Sequence, residues 1–147
     1  TSRLGVTPRD LAARNILLDS NFNPKVSDFG MSRVAIQESG NKTSTEIGPI
    51  RWMAPEALGE KVYNIKTDVW SFGVTLYEIM TQKMPYEKTD IIHVATSVAL
   101  GKVSLVPEIQ KNAKLYPLVL VEVFQLCLQV DPEKRPDFPA IVHMLDV

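Results

Sequence analysis

Cysteine is nearly missing from these 147 residues, and the single Cys127 cannot close an internal disulfide. It sits in the apolar run "VEVFQLCLQV", where a thiol reads as a small buried hydrophobe rather than a reactive group. A chain without a disulfide framework fits a reducing compartment such as the cytoplasm. An excess of one charge is also missing. The 16 basic and 17 acidic residues are interspersed and give a formal charge of -1, which removes the electrostatic case for nucleic acid or an anionic membrane surface as partner. The longest apolar stretch, "VWSFGVTLYEIM", is too short to span a bilayer and carries Glu78. No charged start, short apolar core and small-residue cleavage site mark a secretory signal. His93 and His143 stand without other ligand types at metal spacing, so both are expected to be structural or exposed. A start at Thr1 rather than Met points to a longer product.

What is present suits one folded domain. Apolar residues make up 45% and charged residues 22%, near globular averages, and a chain of this length buries roughly two thirds of its unfolded surface. No internal repeat or low-complexity tract interrupts it.

Turn chemistry and periodicity divide the chain. "ILL" and "KVS" flank "DSNFNP", whose Asp, Asn and Pro favour turns, so residues 16–27 are predicted to form a short hairpin. Residues 31–51 are polar and hydroxyl-rich and read as a long loop ending at "GPIRWMAPEAL". The segment 67–81, apolar on nearly every face, predicts a helix enclosed by protein, with Thr67 as its N-cap. A shorter amphipathic helix is predicted over 90–100, ended by Gly101. Apolar positions at Val119, Val123, Leu126, Cys127 and Val130 predict another over 117–130, stopped by "DPEKRP". A last helix is expected over 137–146. Trp52, Trp70, Phe72 and Tyr77 are expected to be core or pocket wall.

One stretch carries more chemistry than a core needs. "PRDLAARNILLD", residues 8–19, places Asp10, Arg14 and Asn15 within six residues, then runs into Ile16, Leu17 and Leu18. Asp28 follows eighteen residues after Asp10 and thirteen after Asn15. A hairpin returns the chain to its origin, so Asp28 is expected back beside the two, and converging Asp and Asn oxygens are what a hard cation such as Mg²⁺ accepts. Ile16, Leu17 and Leu18 are expected to be the buried anchor of this polar loop.

The blocks "RDLAARN", "DFG", "PIRWMAPEAL", "TDVWSFGV", "PYE" and "DPEKRPDF" resemble, in order and spacing, the carboxy-terminal lobe of the eukaryotic protein kinases, most of all the tyrosine kinase and tyrosine-kinase-like groups. The resemblance covers essentially the whole chain. It implies a mainly α fold: a helical lobe with a small β-hairpin at the catalytic loop, residues 1–147 being part of a two-lobed α+β kinase domain. It implies ATP and Mg²⁺ as cofactors and a protein substrate as partner in signal transduction. Asp10 matches the catalytic Asp that orients the acceptor hydroxyl and takes its proton; Asn15 and Asp28 match the Mg²⁺ ligands; Leu17 matches the floor beneath the adenine. Arg14, with Ala12 where serine/threonine kinases usually carry Lys, is the tyrosine-kinase arrangement, and Pro49 and Trp52 look like the wall that receives a phenolic side chain. Glu56 and Arg135 match an architectural ion pair, and Asp68 matches the helix carboxylate that holds the catalytic-loop backbone.

Three departures qualify the match. Pro8 stands where the family has His, the residue that packs beneath Phe29, next to Gly30, in the active state. The loop 31–53 holds no Tyr, so regulation by phosphate there would fall on Thr43, Ser44 or Thr45, with Arg9 as its cationic partner. No Gly-rich loop, strand Lys or partner Glu occurs within residues 1–147; these belong to an amino-terminal lobe that the catalytic half needs as partner. Two rival readings stay open: a pseudokinase-like scaffold without turnover, and a truncated inactive fragment.

Overall fold

The computed structural model describes residues 11–27 and 49–146. Strands β1 (Ile16–Leu18) and β2 (Pro24–Val26) form an antiparallel pair in the register Ile16 with Val26, Leu17 with Lys25 and Leu18 with Pro24. Local chemistry closes the hairpin. Asp19 Oδ1 accepts the backbone N–H groups of Asn21 at 2.8 Å and Asn23 at 2.9 Å, Asp19 Oδ2 accepts the Asn23 amide at 3.1 Å, and Phe22 takes a left-handed φ of 63°. These contacts, the Asn23 backbone foremost, hold the Asp19 carboxyl below its ordinary range.

The remainder is helical: α1 (Pro55–Glu60), α2 (Ile65–Thr81), α3 (Ile91–Ala99), α4 (Val106–Lys111), α5 (Leu118–Cys127) and α6 (Phe138–Met144). Single 3-10 turns lie at Ala13–Asn15, Ile50–Trp52, Ala113–Leu115 and Pro132–Lys134. The architecture is mainly α with one small hairpin, as the resemblance implies.

Helix α2 is the central element. Residues 67–71 and 73–77 are buried along it, while Ile65 and Ile79 at its ends are exposed. It begins at Ile65, two residues before the predicted 67, and its N-cap lies three residues before the predicted Thr67. Asn64 is the N-cap and accepts from Lys66 and Thr67 N–H, and Thr67 Oγ1 receives the Asn64 N–H at 3.0 Å. Thr67 is thus the third helical residue of a capping box, a position whose hydroxyl reads like a cap when the sequence is scanned alone. Helix α3 keeps its predicted limits, capped by Asp90 through Ile92 and His93 N–H and followed by Gly101 at φ 68°. Helix α6 is likewise capped by Asp137.

Helix α5 packs on α2, and its buried face overlaps the predicted one only at Val123 and Cys127. Val121, Val123, Phe124, Cys127 and Leu128 are buried, whereas Leu126 and Val130 are exposed. The helix stops at Cys127, so Val130 lies past its end and no longer follows the helical period. Gly73 of α2 makes the approach close: a Cβ there would stand 2.7 Å from Cys127 Cβ and 3.2 Å from Leu128 Cδ2. Because a Cβ cannot swing away from its own backbone, Gly73→Ala must push the helices apart. We expect a net loss of about 1–2 kcal/mol in urea unfolding, overpacking outweighing the better helix propensity of Ala.

Burial also pushes the Cys127 thiol up to about 12, against a smaller opposing pull from Arg135. The folded protein should therefore resist a thiol reagent at about pH 8 and react promptly once denatured. Rapid modification of the native state, followed by absorbance, would contradict this packing. Trp52, Trp70 and Tyr77 are buried, and Phe72 meets Phe138 edge-on at 5.9 Å between ring centroids.

A buried cation ties the ends of this unit together. The Arg135 side chain is wholly buried and pairs with Glu56 through Nη1 to Oε1 at 2.5 Å and Nη2 to Oε2 at 3.0 Å. Its remaining donors reach the carbonyls of Gln129, Lys66 and Val130. Lys66 Nζ in turn donates to the Arg135 carbonyl at 2.6 Å, and the Trp70 ring lies 5.0 Å from the guanidinium. No helix among the described residues is long and apolar enough to cross a membrane.

Candidate active site

Four polar residues interrupt the apolar surface of α2 at positions 68, 71, 75 and 78, a spacing that keeps them on one face of a helix. Asp68, Ser71 and Thr75 are buried and Glu78 is half-buried. Two loops dock on this stripe. The Ser71 hydroxyl donates to the Trp52 carbonyl at 2.7 Å. Thr75 Oγ1 lies 2.9 Å from the Ser71 carbonyl and 3.3 Å from the Leu11 carbonyl, so its proton is shared between helix and loop. Glu78 Oε1 accepts the Ala13 N–H at 3.0 Å and the Trp52 indole N–H at 2.6 Å.

The segment 11–15 is thereby fixed from below. Leu11 and Ala12 are buried, Ala13–Asn15 make a 3-10 turn closed by Asn15 N–H to the Ala12 carbonyl, and Asn15 is 8% exposed. The hairpin then brings Ser27 back to the same place. Its N–H donates to the Asn15 carbonyl at 2.7 Å and its hydroxyl to the same oxygen at 3.0 Å. Ile16, Leu17 and Leu18 are not the buried anchor expected of them. Ile16 is half-buried, and Leu17 and Leu18 are 57% and 59% exposed. Three-residue strands in a two-stranded sheet have no second layer of their own, and no described residue supplies one. Helix α2, not the apolar strand, anchors the polar loop.

Trp52 joins the loops at the rim. Its ring is 7% exposed, and the exposed Arg14 guanidinium sits 4.4 Å from the ring centroid. A cation over an indole face is electrostatically favourable and leaves the guanidinium oriented. Pro49 is buried beside it in the chain. Arg51 turns the other way, donating to the carbonyls of Pro85, Tyr86 and Thr89 at 3.2, 2.7 and 2.9 Å. It staples the 49–53 segment to the connection between α2 and α3.

Of the residues singled out from sequence, Arg14, Asn15, Leu17, Glu56, Asp68 and Arg135 are placed as described above. Pro8, Arg9, Asp10, Asp28, Phe29, Gly30, Thr43, Ser44 and Thr45 lie outside the described residues. Glu78, Ser71, Thr75 and Arg51 were not singled out, although the 68, 71, 75, 78 stripe in an apolar helix was a readable signal. His93 and His143 are exposed, and among the described residues no three His, Cys, Asp or Glu gather as a metal site. Asn15 offers the amide oxygen and Asp28 the carboxylate that suit Mg²⁺ in donor type. Ser27, whose two hydrogen bonds hold the Asn15 peptide, immediately precedes Asp28 in the chain.

Known proteins extend the picture across both acceptor classes. The chain is 42% identical over 137 residues to serine/threonine-protein kinase STY46 of Arabidopsis thaliana, covering 93% of this chain and 23% of that protein. It is 39% identical over 155 residues to cysteine-rich receptor-like protein kinase 10 of the same plant, covering 98% and 23%. It is 41% identical over 148 residues to ephrin type-A receptor 5 of Gallus gallus, covering 99% and 14%. The chain thus spans about a quarter or less of the length of these relatives. A family model described as protein tyrosine and serine/threonine kinase matches residues 3–145, and with a match of that extent the chain belongs to the protein kinase family.

Proposed function

We propose that this chain is the catalytic and substrate-binding lobe of a kinase that moves the γ-phosphate of ATP onto a protein hydroxyl, with tyrosine the preferred acceptor. The observation that carries the reading is the Arg14–Trp52 stack, 4.4 Å between guanidinium and ring. It joins the cation of the "RDLAARN" loop to the "PIRWMAPE" segment, the pairing that the resemblance associates with a ring-bearing acceptor. In this reading Asp10 orients the acceptor hydroxyl and takes its proton as the oxygen is phosphorylated. Asn15 and Asp28 hold Mg²⁺, Leu17 lies under the adenine, and Asp68 steadies the loop backbone. Bound with Mg²⁺, ATP supplies the phosphoryl group and the neutralising charge. Thr43, Ser44 and Thr45 are candidate phosphosites, with Arg9 as the cation to pair with a phosphate there.

The covering lobe that holds the ATP phosphates is the partner this reading requires, and residues 1–147 alone should show no useful turnover. Localisation is cytoplasmic, free or as part of a receptor. The scaffold reading draws support from Pro8, which cannot supply the stacking or the hydrogen bond of the family's His.

Phosphoamino-acid analysis separates these. The kinase with its amino-terminal lobe is incubated with Mg²⁺, radiolabelled ATP and a mixed peptide library. Label chiefly on tyrosine supports the proposal. Label confined to serine and threonine overturns the acceptor preference, and no label from folded protein leaves the scaffold.

A further inference from the structure

We infer that Glu78 is a positioning residue that locks the catalytic loop and the acceptor wall into one geometry. The inference rests on the kinase reading above but on different atoms. One carboxylate oxygen, Glu78 Oε1, receives two donors from segments far apart in sequence: Ala13 N–H at 3.0 Å from the loop carrying Arg14 and Asn15, and Trp52 Nε1–H at 2.6 Å from the wall. Arg14 over the Trp52 ring closes the circuit on the outer side. Hydrogen bonds to a charged acceptor are short and directional, so rotation of the indole about its own axis and displacement of the Ala13 peptide are opposed by the same atom.

Neither donor has another acceptor among the described residues. The Ala13 N–H stands at the first residue of a 3-10 turn, where no carbonyl of the turn can reach it. The Trp52 indole is 7% exposed and has little access to water. Removing the carboxylate therefore leaves two donors unsatisfied at once and frees the two segments from one another. Glu78 itself touches no reacting atom in this reading. Its effect passes through Trp52 to acceptor binding and through Ala13 to the loop that performs transfer.

The test uses the kinase with its amino-terminal lobe, with Glu78→Leu, Glu78→Gln and Trp52→Phe compared. Leu fills the space but accepts nothing. Gln keeps an oxygen that accepts both donors. Glu78→Leu should raise KM for the acceptor peptide and lower kcat together, kcat/KM falling roughly 10- to 100-fold, while Glu78→Gln restores most of it. In a Trp52→Phe background, Glu78→Leu should cost several-fold less than it does alone, because one of its two donors is already gone. A purely structural role would reduce the folded fraction and leave KM unchanged, and that result would overturn the inference.

A second readout needs no activity. Hydrogen exchange of the Ala13 amide and the Trp52 indole proton, followed by NMR, should quicken at both sites in Glu78→Leu and at neither in Glu78→Gln. Acceleration at only one site overturns the coupling even if activity falls. If the wild-type kinase transfers no phosphate, the proposed function fails, and the exchange measurement still decides whether Glu78 joins the loops.

Discussion

Replacing Arg135 by Leu is expected to remove about 3–5 kcal/mol of stability, measured as the change in unfolding free energy in urea. The side chain is fully buried, and each of its five N–H donors has an acceptor: two Glu56 oxygens and the carbonyls of Gln129, Lys66 and Val130. Leu would pack in part of the volume. It would also leave the Glu56 carboxylate, 12% exposed at its side chain, without its countercharge, and remove the guanidinium's bonds to three carbonyls. For a domain whose total stability is about 5–15 kcal/mol, such a loss takes a large share of the folded population. Arg135→Lys should recover little, since an ammonium cannot make the two-pronged contact or reach carbonyls on three sides.

The same geometry predicts a sign in the double mutant. Glu56→Leu with Arg135→Leu should be less destabilised than the sum of the single changes, because the unpaired charge left by either alone is then gone. Were Arg135→Leu to unfold within about 1 kcal/mol of wild type, an ordinary value for a surface change, the pair would have no architectural weight. The consequence for function is indirect but large. Glu56 lies in the first turn of α1, shortly after the Trp52 segment, and Arg135 follows the last 3-10 turn among the described residues, so the bond ties the Trp52 segment to the run that leads into the final helix.

How much of this could be read from the letters alone depended on how local the physics is. The hairpin was legible because Asp19 folds its own turn, and α3 because Asp90 and Gly101 mark both ends within a few residues. The start of α2 was misplaced by two residues because Asn64 and Thr67 cap each other, and either side chain alone satisfies the pattern. Helix α5 was found, but its inner face only in part, at Val123 and Cys127. In "LVLVEVFQLC" apolar residues occupy nearly every position, so periodicity cannot say that Val121 and Phe124 are buried while Leu126 is exposed. Helices α1 and α4 are six residues each, less than two turns, and exist because tertiary packing holds them.

The site divides along the same line. Asp10, Arg14, Asn15 and Asp28 stand out because oxygen-rich and cationic residues cluster in sequence. Glu78 and Arg51 do not cluster with anything; their partners are 65, 26 and 34 to 38 residues away. The apolar strand beside the polar loop invited the opposite error. Leu17 and Leu18 were expected to anchor it by burial, yet the anchoring forces are hydrogen bonds that Thr75 donates to the Leu11 carbonyl and that Glu78 accepts from the Ala13 N–H. Hydrophobic character marks what prefers to leave water, and it does not say which surface will cover it.

Asp10→Asn gives the largest effect expected on chemistry, and it follows from what the change preserves. Asn has the shape of Asp and still accepts a hydrogen bond from an acceptor hydroxyl, but it cannot take the proton. In the kinase with its amino-terminal lobe, kcat should fall about 10²- to 10⁴-fold, equivalent to roughly 3–5.5 kcal/mol of transition-state stabilisation. Folding should be little changed, because the neighbouring residues are secured independently: Leu11 by Thr75, Ala13 by Glu78 and Asn15 by Ser27. The measurement is therefore a pair, steady-state phosphorylation and urea unfolding on the same preparations. A fall in both by matching amounts would make Asp10 a structural residue. Equal activity in the two proteins would remove it from the reaction and return the chain to a scaffold. A steep fall in kcat with unchanged unfolding is the outcome expected under the proposed role of Asp10, since residues 11–15 keep their own hydrogen bonds to Thr75, Glu78 and Ser27 when Asp10 is replaced.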